Sequence, residues 1–443
     1  MKPPVPPPPF RELAEEARAD LTTIMEAGIG LLPKGKYRHW DNLRHLEPPP
    51  ELTHRQWWLG VKLARRGQYR TTPLTDKGGK PFVYTLPDPV LARLHALDQR
   101  AGGRVGMAET VANPETRNRY IINSLMEEAI TSSQLEGAST TRQVAADMIR
   151  EGRPPRDKHE RMILNNYQAM AAIRDIQDES LTVERVLGLH RQLTEGTLDN
   201  PDAAGRLQMP EENRVTVADN ATGRVAHVPP PAEELPERMK ALVRFANAED
   251  EDHFVHPVIR GIVLHFWLAF DHPFEDGNGR VARALFYWVM LHQGYWLFEF
   301  ISLSSVLKEA PAQYARAFLH TETDDNDLTY FILNQLESIE RAVEHLETYL
   351  ERKAQQVQRV EELLHDRADL NDRQLALLSH AIRHPGHRYT IQSHRRSHAV
   401  AYATARSDLL NLAELGLLEK QRKRQGYSFR APANLEDRIR ELS

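Results

Sequence analysis

Residues 272–283 read HPFEDGNGRVAR, a stretch whose residue types and spacing can do chemistry on a phosphate. Gly277 and Gly279 let backbone N–H groups converge without side-chain obstruction. A helix beginning there adds its unpaired opening amides and the positive end of its dipole, which makes an anion cradle. Arg280 and Arg283 stand at i and i+3 on the first turn of that helix, so both guanidinium forks share a face and reach successive phosphates. A carboxylate beside them would repel phosphate unless a divalent cation lay between, so Asp276 reads as a Mg²⁺ ligand, with Glu275 the weaker choice. His272 is the neighbouring group able to accept a proton at neutral pH. A tight helix–helix turn capped by Asp and Arg, with a satisfied histidine, accounts for any one of these residues. It does not account for Gly-Asn-Gly followed by paired arginines, because a turn needs one glycine.

The elements that position this stretch are helical. HPVIRGIVLHFWLAF precedes it, with Pro257 at a helix start and apolar residues on nearly every face, the mark of a buried helix. RVARALFYWVMLHQGY follows and is stopped by Gly294. Helices are also predicted over 113–137, 158–177, 181–196 and 232–248. A hairpin lies between them, with Val215, Thr216 and Val217 in one strand, a turn at 219–223 and the second strand at 225–228. Towards the N-terminus a proline run leads into one short polar helix near residues 10–32. A capped helix follows, with Trp57 and Trp58 as packing anchors, then a small hairpin or strand around residues 78–90. Ile332, Leu336, Ile339, Val343, Leu346 and Leu350 form a heptad seam that packs within the chain or across a homodimer.

With 443 residues, 41% hydrophobic and 27% charged, the chain has the composition of a soluble protein of two or three domains. It contains no cysteine, which excludes disulfides, thiolate metal sites and cysteine nucleophiles. No apolar run has the length of a membrane helix, and the opening proline run lacks a signal-peptide core, so a cytoplasmic location away from membranes is expected. A net charge of −5 argues against wholesale coating of nucleic acid, yet residues 371–430 hold 11 Lys and Arg against 4 Asp and Glu, a local excess of 7. His380, His384, His387, His394 and His398 read as a surface cluster rather than zinc ligands, because no carboxylate or cysteine accompanies them.

HPFEDGNGRVAR matches the Fic motif, His-x-Phe-x-(Asp/Glu)-Gly-Asn-Gly-Arg-x-x-Arg, at every fixed position, and the chain resembles the Fic (fido) family over roughly residues 35–432. The resemblance implies a mainly α fold with a helical core and a β-hairpin flap. It implies a Pro-rich and helical region at 1–105 and a catalytic core at 106–355. The implied activity is transfer of AMP from ATP to a Ser, Thr or Tyr hydroxyl of a target protein, itself included, with pyrophosphate leaving. By carry-over, His272 takes the hydroxyl proton, Asp276 holds Mg²⁺ on the α- and β-phosphates, and Gly277, Asn278 and Gly279 form the anion hole. Arg280 contacts the β-phosphate, Arg283 the γ-phosphate, and Phe274 anchors the loop. The hairpin aligns the target segment, and Tyr314 is either a wall of the adenine pocket or a core tyrosine. Relatives that transfer phosphocholine or UMP carry the same motif, so the motif alone does not establish the donor.

SSQLEG at 132–137 resembles the family's inhibitory helix, (Ser/Thr)-x-x-x-Glu-(Gly/Asn), placed here at about 120–137. The resemblance has Ser132, Glu136 and Gly137 as its fixed positions and Glu136 paired with Arg283; some relatives use the same glutamate to remove AMP. Residues 366–432 resemble a winged helix-turn-helix, with a recognition helix over 402–415 and basic residues Arg395, Arg396, Arg406, Arg422, Lys423 and Arg424 available to DNA phosphates. A DNA-binding regulator whose Fic-like core is a sensor is therefore the alternative reading.

Overall fold

The computed structural model describes residues 3–101, 114–218, 225–249, 253–365, 370–383, 387–423, 426–432 and 434–441. The chain divides into two compact units, residues 1–346 and 347–443. Within the first, the elements that matter to the site are α1 (His54–Arg66), β1 (Arg70–Thr75), β2 (Pro81–Tyr84), α2 (Pro114–Leu135), α3 (Lys158–Asp175), α4 (Val183–Thr194), β3 (Val217–Ala218), β4 (Val225–His227), α5 (Pro257–Asp271), α6 (Asn278–His292), α7 (Pro311–Thr323) and α8 (Thr329–His365).

The centre of this unit is the pair α5 and α6. Helix α5 begins with Pro257 at its first position and the His256 ring accepting the Val258 N–H at 3.3 Å. It carries no polar stripe, and Val258, Ile262, Leu264, Phe266 and Leu268 are all fully buried. Gly261 lets α6 approach, because a Cβ there would stand 2.9 Å from Met290 Cε and 3.1 Å from the Phe286 ring. The heptad positions Ile332, Leu336, Ile339 and Val343 of α8 are buried in the same core, so over that length the seam packs within the chain.

The N-terminal residues close over the other side of the unit. Trp57 and Trp58 are buried beneath Leu13, Ile24 and Leu43. Two helices, Phe10–Glu16 and Leu21–Glu26, replace the single one expected there. The backbone tightens between them into three-residue bonds, Arg18 N–H to Glu15 O and Asp20 N–H to Ala17 O. A buried polar cluster ties this layer to the segment before α8. Lys62 pairs with Asp324 at 2.7 Å, Arg65 donates to the Tyr330 hydroxyl at 2.6 Å, and Tyr37 donates to Asp327 at 2.5 Å.

The central hairpin is shorter than its β-branched sequence suggests. Among the described residues its ladder pairs Val217 with His227 and Ala218 with Val225, with an irregular register. Val215 turns its N–H to the Gln208 side chain instead, and the expected turn at 219–223 lies outside the described residues.

The second unit runs helix Asp372–Arg383, strand Arg388–Thr390, helices Ile391–His398 and Tyr402–Glu414, and strands Glu419–Lys423 and Gly426–Arg430. The last strand lies between the other two in an antiparallel sheet, over a core that includes Leu378, Leu409, Leu412 and Phe429. His384 lies outside the described residues.

Candidate active site

The loop joining α5 to α6 is held by its own side chains. His272 leaves α5 in the left-handed conformation, φ 45° and ψ 53°, with its N–H on Leu268 O at 2.9 Å. Phe274 turns inward, fully buried, and its ring stacks on His190 of α4 with centroids 3.8 Å apart and planes 6° apart. The Asn278 side chain staples the turn, accepting the Phe274 N–H at 2.9 Å and donating to Phe274 O at 2.8 Å. That use of its amide leaves its backbone N–H as what Asn278 offers an anion. Gly277 caps α6 at φ 88°, and a Cβ there would meet Thr194 Cγ2 at 2.8 Å, so the position demands glycine on two counts. His190 Nδ1 accepts the Gly205 N–H at 2.9 Å; its Nε2 therefore carries the proton and donates to Asp276 O at 2.9 Å. Burial lowers the His190 pKa to about 4, which keeps this neutral tautomer in place.

Two buried arginines face the start of α6. Arg280 donates to Leu193 O at 2.8 Å, and its Nη2 lies 3.5 Å from the Asp276 carboxylate, but its Nε and Nη2 have no hydrogen-bond partner. A fully buried guanidinium with two unused donors beside the opening amides of a helix is a site for an anion. Arg283 is engaged through Nε and Nη2: Nε donates to Ser132 Oγ at 2.9 Å, and Nη2 to Ser132 O at 3.0 Å and Glu136 Oε1 at 2.9 Å. Burial alone would lower the Arg283 pKa; the Glu136 carboxylate reverses this and raises it. Burial likewise opposes ionisation of Glu136, but Arg283, then Arg280, outweigh it and hold the carboxyl below its usual range. That carboxylate lies over Gly279, where a Cβ would stand 2.1 Å from Glu136 Oε1. Gly137, at φ 92°, turns the chain away just beyond it.

Burial lowers the His272 pKa to about 4, so the imidazole is neutral at neutral pH. Its Nδ1 lies 3.4 Å from Ala269 O; with the proton on that side, Nε2 presents a free lone pair. Asp276 is half-exposed, and its Oδ1 accepts the Gly277 N–H at 2.5 Å. A single exposed carboxylate beside an anion cradle suits Mg²⁺, which binds through one or two carboxylates, substrate phosphates and waters. Among the described residues, no cluster of three His, Cys, Asp or Glu makes a metal site by itself. Glu275 accepts from Asn200 at 3.4 Å.

Residues 180–290, which include His190, the hairpin and most of this loop and its helix, match the Fic/DOC family. The chain carries a Fic/DOC domain. The protein adenylyltransferase Fic of Nematostella vectensis is 31% identical over 119 residues, 27% of this chain and 25% of that relative. The protein adenylyltransferase fic-1 of Caenorhabditis elegans is 25% identical over 233 residues, 51% of this chain and 40% of that relative. The matched segment thus spans between a quarter and two fifths of these curated relatives. A Fic family protein from Desulfovibrio desulfuricans G20 shares the fold at a TM-score of 0.53 and 19% identity, over 81% of this chain and 99% of that one.

Around the Fic loop the structure gathers His272, Asp276, Gly277, Asn278, Gly279, Arg280 and Arg283 with Ser132, Glu136 and Gly137. Tyr314 of α7 stands behind them. Its hydroxyl is 2.8 Å from His265 Nε2, its ring packs on Phe318 and Phe331, and it faces Arg283. Arg395, Arg396, Arg406 and Arg422 belong to the second unit and are exposed there; Arg424 and the side chain of Lys423 lie outside the described residues. Three residues that motif reading passed over also hold the Fic loop: His190, Arg214 and His227. They lie 43 to 86 positions from the backbone groups they hold at the loop and the end of α5, and each acts there by a side-chain bond to backbone, which leaves no periodicity or spacing to read.

Proposed function

We propose that the chain is a protein adenylyltransferase, transferring AMP from ATP to a hydroxyl of a protein. The observation that carries this reading is the buried Arg280, with Nε and Nη2 unpartnered, beside the amides that open α6 and next to a neutral imidazole. Those amides and Arg280 take the inner phosphates of the nucleotide. Arg283, on the same helix face, takes the outermost one. Asp276 holds Mg²⁺, which when bound neutralises phosphate charge. His272 Nε2 removes the proton of the target hydroxyl, its oxygen forms the new bond to the α-phosphorus, and the bond from that phosphorus to pyrophosphate breaks. Positioning and charge neutralisation supply most of such a barrier reduction, and a general base adds roughly 10²- to 10⁴-fold. The curated relatives that share the Fic segment bear the adenylyltransferase name, which supports the same chemistry here.

We infer further that Glu136 is a brake, because it occupies the Arg283 fork that would orient the outermost phosphate. Whether the same carboxylate helps water remove AMP is an arm of the same assay. The test is mass spectrometry of the protein after incubation with ATP and Mg²⁺. An AMP adduct that disappears in His272→Ala is expected; labelling that persists in that variant refutes the role given to His272.

The second unit supports an additional reading. Arg395, Arg396, Arg406 and Arg422 are all exposed on adjoining helices and one strand of a three-stranded sheet, an arrangement that suits DNA phosphates. Fluorescence anisotropy with duplex DNA at rising salt is expected to give binding whose salt slope falls in Arg395→Ala/Arg396→Ala. An unchanged slope refutes phosphate contact by these residues.

A further inference from the structure

The C-terminal end of α5 leaves its last carbonyls without partners in the helix, and here they are taken by the two flanks of the hairpin. His227 of β4 bonds Phe270 O through Nε2 at 2.7 Å. Arg214, just before β3, donates to Asp271 O at 2.5 Å and to His272 O at 2.9 Å, so three consecutive carbonyls are each held by a hairpin side chain. The same guanidinium donates to Pro230 O at 2.8 Å, which joins the two arms of the hairpin at their base.

His227 Nδ1 faces Glu322 Oε2 of α7 at 2.7 Å. The ring thus bridges the Glu322 side chain and the end of α5, one nitrogen to each. The Arg214 guanidinium at this helix C-terminus complements its dipole. The side chain of Asp271 is held separately, by Arg238 at 2.7 Å and the Trp267 indole at 3.0 Å. The residue at the end of this clamp is His272, in a left-handed conformation that side chains rarely adopt, its N–H held by α5 and its carbonyl by Arg214.

We propose that Arg214 and His227 are positioning residues that fix the backbone of His272 from the hairpin, so that the hairpin aligns the proton acceptor as well as any segment laid along it. The proposal rests on the adenylyltransferase reading for its catalytic consequence. The phosphate-binding groups lie on α6 and its cap, so loss of the clamp moves the imidazole and leaves nucleotide binding in place. A displacement of the order of 1 Å costs on the order of a hundredfold in rate.

The test uses the full chain carrying Glu136→Gly, with Arg214→Gln, Arg214→Lys and His227→Leu added singly. Expected for Arg214→Gln is a kcat for labelling about a hundredfold lower with the KM for ATP changed less than threefold. Arg214→Lys is expected to restore part of the rate, and the His272 ring resonances to move in an imidazole-labelled sample. His227→Leu, which breaks one of the three bonds to these carbonyls, lowers kcat less and carries the test alone if Arg214→Gln does not fold. An unchanged kcat in the folded variants, or KM and kcat falling together with the melting temperature, overturns the proposal. If the Glu136→Gly parent does not label at all, the adenylyltransferase reading fails instead. The clamp is then decided by the His272 resonances, which must shift in Arg214→Gln for it to stand.

Discussion

Replacing Glu136 by glycine is the most informative single perturbation of the Fic loop. The carboxylate makes one charge-assisted bond to Arg283 Nη2 at 2.9 Å, and the guanidinium is only 3% exposed. Such a bond contributes about 1.5–3 kcal/mol. Each 1.4 kcal/mol corresponds to about tenfold, so removing it should raise the share of Arg283 free for a phosphate by about 10- to 150-fold. The two bonds from Arg283 to Ser132 remain, so the fork stays in place after its competitor is gone. The glycine also vacates the space over Gly279, where the carboxylate now lies on the helix start. The assay is the initial rate of self-labelling by α-phosphate-labelled ATP in the wild-type chain, Glu136→Gly, Glu136→Gln and Glu136→Gly/His272→Ala. Expected are a gain of at least tenfold in the first variant, a smaller gain in Glu136→Gln, which keeps the shape but not the charge, and none in the double variant. A ratio below about threefold, in folded protein whose wild-type labelling depends on His272, refutes the brake. A gain that survives His272→Ala refutes the assignment of the base.

Burial holds the His272 pKa at about 4, so the base is neutral throughout the physiological range. The labelling rate of Glu136→Gly should stay level between about pH 8 and 6 and fall only near pH 4–5; a midpoint near the ordinary histidine value of about 6.5 contradicts this. Burial is the largest cause in lowering six histidine pKa values: His39 and His265 to about 3, His190, His272 and His320 to about 4, and His394 below its usual value. The unfolded chain therefore protonates first on acidification. The stability these groups contribute is complete above the unfolded value of about 6.5 and is lost from there down to the folded values of about 4 and about 3, with a limiting slope of about 1.4 kcal/mol per pH unit for each histidine. Urea midpoints at pH 7.5 and 5.5 check it, and equal midpoints refute it. Gly277→Ala imposes a left-handed alanine, costing about 1–2 kcal/mol, together with a clash on Thr194. A melting temperature a few degrees lower and lost labelling are expected, whereas wild-type behaviour in both would show that the loop does not need this cap.

What could be read ahead of the fold was what depends on neighbours along the chain. The apolar faces of α5 and α6, the proline that opens one and the glycine that caps the other are local facts, and the helices form where they predict. The staple between Phe274 and Asn278 is four residues long and belongs with them. The hairpin was only half legible. Val215 has strand chemistry but bonds the Gln208 side chain, since the base of the hairpin is occupied by Arg214 reaching for the end of α5. Tyr314 stayed open between two readings because its neighbours, His265, Phe318, Phe331 and Arg283, come from four separate segments.

By itself the amino-acid order determined that two interior helices would meet at a glycine-rich bend bearing a histidine, a carboxylate and two arginines, because helix propensity, apolar periodicity and capping act over a few residues. The tertiary structure alone decided which of those charges stand unpartnered. Arg283 is neutralised by a carboxylate 147 positions away, Arg280 retains two free donors, and His272 is made neutral by burial and held by hairpin side chains from outside the helix. Electrostatic partnership and desolvation depend on distance through space, and in a chain of this length only the packed fold brings such residues within 3 Å of one another.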